Sequence, residues 1–83
     1  MINSSDLNNA LIIVQKAHLE FSGEQTMCSG DLSIAMILHQ YRQGVIPESY
    51  ARKHIKKLIA NGYASKDMIL LCNKEFEMKE EKQ

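Results

Sequence analysis

YASKDMILLC, residues 63–72, is the stretch on which the fold of this chain turns. Read as strands, Tyr63 to Ser65 and Met68 to Cys72 pair around a turn at Lys66 and Asp67, a small hairpin with an aliphatic second arm. Read as a helix, Ser65 is the cap and Met68, Leu71, Cys72 and Phe76 share one face. The first reading makes the chain mainly α with a small β-hairpin. The second makes it an all-α four-helix bundle.

Upstream, Pro47 to Asn61 predicts the clearest helix in the chain. Projected at about 100° per residue, Ala51, Ile55, Leu58 and Ile59 fall in one apolar stripe. Ser49, Arg52, Lys53, Lys56 and Lys57 take the opposite side, with Tyr50 at its margin. Pro47 suits the first helical position, where its missing N–H would have no partner. Asn61 and Gly62 form a left-handed stop.

Before it, LSIAMILHQYRQ predicts a helix starting at Ser29 or Asp31 and ended by Gly44. Leu32, Ala35, Met36, Ile37 and Leu38 make it apolar most of the way round, as a centrally buried helix is. Residues 4–21 predict an amphipathic helix through Leu7, Ala10, Leu11, Val14, Ala17 and Phe21, capped by Ser4 or Ser5 and favoured at its start by Asp6. Between the first two helices, Gln25 to Cys28 could form a loop or a very short strand. At the other end NKEFEMKEEKQ, from about residue 73, predicts a charged helix or tail that frays toward Gln83.

At 83 residues the chain is long enough for one domain, 1–83, with a single modest core. Hydrophobic residues make up 45% and prolines number one, which excludes wholesale disorder. Net charge is zero, so nothing is held by bulk charge, yet the charges are segregated. Residues 1–38 sum to −3, residues 39–66 to +5 and residues 67–83 to −2. The local field of the middle segment decides where an anion approaches.

The N-terminus lacks the charged start and apolar run of a secretory signal, and no stretch reaches the ~18 apolar residues needed to cross a bilayer. A cytoplasmic location is expected. Cys28 and Cys72 lack C-x-x-C spacing and are expected as buried or half-buried thiols without a disulfide. His18, His39 and His54 have no ligand spacing, and no metal or cofactor is expected. His18 and His39 read as structural or solvent-facing, and Tyr41 and Tyr63 as core edges with a wet hydroxyl. With no phosphate loop, nucleophile elbow or ligand pair, the chain is not expected to be an enzyme.

Two helices joined by a glycine-containing turn, the second carrying a basic outer face, are the parts of a helix-turn-helix. The run SGDLSIAMILHQYRQGVIPESYARKHIKKLIANGYASKDMILL resembles the winged helix-turn-helix superfamily. The resemblance implies a short strand near Thr26 to Cys28, a support helix, a recognition helix closing in KKLIANGY, and a hairpin wing. HIKKLIANGYAS is its most specific part. The connection YRQGVIP is longer than the tight turn of the simplest members.

Carried over, the resemblance implies a small transcriptional regulator whose recognition helix enters the major groove of double-stranded DNA. Ser49, Tyr50, Arg52, Lys53, Lys56 and Lys57 would lie on the DNA, with Lys66 at the wing turn. Ser49 and Tyr50 would reach bases or the first phosphates, and Arg52 could pair with guanine. The lysines would neutralise phosphates, which sets affinity and register without reading sequence. Two half-sites would call for a homodimer, for which Ile12, Ile13 and Leu19 offer an apolar surface unless they pack against the C-terminal helix. The alternative is a protein-binding adaptor or inhibitor of the kind mobile elements encode, its basic stripe meeting an acidic protein partner.

Overall fold

In the computed structural model the described residues are 4–21 and 28–76, and they form four helices and no strand. These are α1 (Ser4–Phe21), α2 (Asp31–Arg42), α3 (Glu48–Ala60) and α4 (Lys66–Phe76). α2 is central: Ile34, Ala35, Met36 and Leu38 are buried, and it packs on both α1 and α3. α1 also packs on α4, and α3 touches α4 as well as α2.

The hairpin expected over residues 63–72 is corrected to a helix. Met68, Cys72 and Phe76 recur every four residues and all three are buried, so one helical face places them together in the core. As a strand the same run would have pointed Ile69 and Leu71 away from Met68 and Cys72, into water. The start of α4 is set locally as well, because the Ser65 hydroxyl oxygen accepts the N–H of Met68 at 3.3 Å. Lys66 and Asp67 are therefore first-turn residues of α4 rather than the tip of a wing. No element begins at residue 73, since α4 continues through Phe76. Of the strand expected near Thr26 to Cys28, Cys28 is not in a strand, while residues 26 and 27 lie outside the described residues. The expected tail beyond Phe76 lies outside them too.

The two glycine stops behave as the turns require. Gly44 after α2 has φ +79° and Gly62 after α3 has φ +81°, a region that costs a side chain about 1–2 kcal/mol. Pro47 stands one place earlier than expected, as the residue before α3, with extended ψ of 161°.

α1 is rotated relative to its expected face. Ala10, Ile13, Val14, Ala17 and His18 are buried, whereas Leu7 is 38% exposed and Leu11 and Phe21 are half-buried. Ala10 and Ala17, at 0% and 1% exposure, admit the close approach of a neighbouring helix, with Ile13, Val14 and His18 packed beside them. Of the proposed dimer surface, Ile13 belongs to the core and Ile12 and Leu19 remain outside. Tyr41 closes one edge of the core, its ring centroid 5.0 Å from that of Phe76. Tyr63, expected at a core edge, is 48% exposed.

Candidate nucleic-acid interface

α3 is amphipathic in space as in sequence. Ala51 and Ile55 are fully buried, Leu58 and Ile59 are half-buried, and Ser49, Tyr50, Lys53, Lys56 and Lys57 are exposed. Arg52 sits at the border and donates from Nη1 to Glu48 Oε2 at 3.3 Å, an i,i+4 pair on the surface. Six of the seven expected site residues thus share the outward side of one helix. Lys66, the seventh, is exposed at the start of α4 and belongs to a different element.

Arg42 and Lys74, on other helices, are treated differently. Arg42 is held by two hydrogen bonds to Glu75, at 3.2 and 2.7 Å, and that carboxylate raises the guanidinium pKa above its ordinary value. Lys74 donates to Glu20 at 2.6 Å. Among the described residues, no ion pair or hydrogen bond engages the ammonium groups of Lys53, Lys56 or Lys57. Their field is uncancelled at short range, and it faces solvent. His54, one turn beyond Tyr50, stacks its ring on the tyrosine at a centroid distance of 4.2 Å.

A groove of about 700 Å³ runs along α1 toward the ends of α2 and α4, floored by Ile12, Ile13 and Leu71. Much of its charged rim, Arg42 with Glu75 and Lys74 with Glu20, is neutralised by the pairs just described. Among the described residues no group of three or more His, Cys, Asp or Glu side chains could hold a metal ion. Both cysteines are free thiols, and burial pushes that of Cys72 up to about 12. No protein-family model, curated protein or solved structure matches this chain.

A polar junction that carries the scaffold under α3 was missed from the sequence. Asp31, fully buried at the start of α2, accepts the N–H of Cys28 at 3.0 Å and that of Ser65 at 2.8 Å. It holds the start of α4 against the start of α2. His18, in the last turn of α1 and 2% exposed, places Nδ1 2.5 Å from Asp67 Oδ2 and Nε2 3.8 Å from Asp31 Oδ2. With Asp67 ionised, its carboxylate accepts and His18 Nδ1 is the donor of this bond. Among the described residues His18 Nε2 has no hydrogen-bond partner. Two carboxylates at helix N-termini and an imidazole at a helix C-terminus each suit the local dipole. The signal available in the sequence was Ser-x-Asp, which occurs at Ser4 to Asp6, Ser29 to Asp31 and Ser65 to Asp67 and stands at the opening of a helix each time.

No helix among the described residues is long and apolar enough to cross a membrane.

Proposed function

We propose that this chain binds double-stranded DNA as a small transcriptional regulator, with α3 as the helix presented to the major groove. One observation carries the reading: among the described residues Lys53, Lys56 and Lys57 have no ion-pair partner on the outer face of α3, whereas Arg42 and Lys74 rest on carboxylates. Lysines arranged this way release condensed counterions when they meet phosphates. α2 and α3, joined through residues 43–47, supply the support and recognition helices of the helix-turn-helix reading. Ser49 and Tyr50, in the first turn of α3, are placed to meet bases or the nearest phosphates. Arg52 joins them by leaving Glu48, which costs about 0.5 kcal/mol or less for an exposed i,i+4 pair.

Without a hairpin among the described residues, contact falls to α3 and Lys66 alone. Such a small footprint fits weak binding by one copy and tighter binding by a homodimer on two half-sites. Ile12 and Leu19, 47% and 67% exposed on α1, are the dimer surface of this reading. An acidic protein partner is the second reading, supported by Val45 at 64% exposure and Tyr50 at 49%, apolar anchors near the same lysines.

Titrating the chain with random duplex DNA separates the two. With about four phosphates neutralised, affinity should fall about 10²-fold between roughly 50 and 200 mM salt. Replacing Lys53, Lys56 and Lys57 together by alanine should abolish binding while helix content is unchanged. Absence of binding by the unmodified chain at low salt refutes the DNA reading and leaves the protein partner.

A further inference from the structure

Tyr50 and His54 stand one turn apart on α3, with ring centroids 4.2 Å apart and planes inclined by 40°. Tyr50 keeps 49% of its surface in solvent and takes no part in the core, so packing supplies no reason for its ring. Contact with His54 restrains the tyrosine before any ligand arrives, which lowers the entropy lost on binding. Lys53 and Lys57, three and seven residues further on, are exposed on the same side of the helix.

A restrained ring flanked by cations is how proteins hold an unpaired base: the base stacks on the ring and the neighbouring phosphates meet the ammonium groups. A base inside an intact duplex offers only its edge in either groove. A ring face can therefore stack on a base only where that base has left its own stack. We infer that Tyr50, steadied by His54, is a stacking site for one unpaired base, and that α3 favours single-stranded or bulged DNA over intact duplex. This inference rests on the proposed DNA binding and specifies its preferred substrate.

The test titrates the full chain, at one salt concentration, with a labelled duplex, the same duplex carrying one unpaired thymine, and oligothymidylate of equal length. Anisotropy reports affinity, and tyrosine emission is followed in parallel, readable because the chain has no tryptophan. The bulged and single-stranded forms should bind about fivefold or more tightly than the duplex and quench the emission. Tyr50→Leu should remove both the preference and the quenching, lowering affinity for the bulged and single-stranded forms by at least about fivefold more than for the duplex, since stacking rather than charge is lost. His54→Gln, which frees the ring, should weaken the preference in part. Alanine at Lys53 and Lys57 should weaken all three DNAs alike. Equal affinity of the unmodified chain for the three DNAs, or an equal loss on all three from Tyr50→Leu, overturns the stacking site and leaves the DNA reading standing. Failure to bind any of them at low salt overturns both.

Discussion

Asp31 accepts the backbone N–H of Ser65 at 2.8 Å from a fully buried position, joining the N-terminal ends of α2 and α4. The same carboxylate takes the N–H of Cys28 at 3.0 Å. Asp31→Ala leaves the buried Ser65 N–H and the part-buried Cys28 N–H without their acceptor, each at a cost of up to about 1–3 kcal/mol. The expected loss, read as a shift in urea midpoint with unchanged slope, is about 2–5 kcal/mol. Glu20→Ala, which breaks only the exposed pair with Lys74, should cost under about 1 kcal/mol. Comparable effects from the two would remove Asp31 from its role as a tie between helices.

Gly30 meets Tyr63 beside that tie. Its N–H donates to the Tyr63 carbonyl at 2.7 Å, and a Cβ on Gly30 would lie 2.6 Å from the Cβ of Tyr63 and 2.7 Å from its carbonyl oxygen. The obstacle is largely backbone, which cannot swing aside. Gly30→Ala should therefore destabilise by about 1–3 kcal/mol or more through overpacking. Gly44→Ala meets no atom within 4 Å and suffers only its positive φ, a cost of about 1–2 kcal/mol. Thermal melts of the two variants check the order.

The two faces of α3 should respond separately. Ile55, fully buried, should lose about 2–5 kcal/mol on conversion to alanine. Lys56→Ala on the exposed face should stay within about 0.5 kcal/mol in stability while weakening DNA binding. A Lys56 variant that unfolds the domain would show that the face belongs to the scaffold.

The Cys72 thiol is lifted by burial from 9.0 to about 12. A folded-state value above the unfolded one means that the unfolded chain releases this proton first as pH rises. The associated stability is complete below about pH 9 and is lost between about pH 9 and 12. Cys72→Ala should flatten that part of the alkaline stability profile relative to the unmodified chain. In the folded protein at neutral pH, a thiol reagent should modify half-buried Cys28 first and reach Cys72 only on unfolding.

Much of the layout is legible one segment at a time. Gly44 and Asn61-Gly62 announce where α2 and α3 stop, because a left-handed residue past a helix is a local requirement. The division of α3 into Ala51 and Ile55 inside and lysines outside follows from periodicity alone. On α1 the same rule finds Ala10, Val14 and Ala17, but it takes in Leu7 on the exposed margin and leaves out Ile13, which is buried.

By itself, then, the sequence determined the first three helices, their stops and the basic outer face of α3, all properties of residues within a turn or two of each other. Over residues 63–72 both the hairpin and the helix have local support in Ser65, Lys66 and Asp67, and the resemblance to winged domains tips the expectation to the hairpin. Only the tertiary structure decided between them, by burying Met68, Cys72 and Phe76 on one side and by reaching Ser65 from Asp31, 34 residues earlier in the chain. The pairing of His18 with Asp67 spans 49 residues. Contacts of that separation exist only once the helices have packed, because no local spacing brings their partners together.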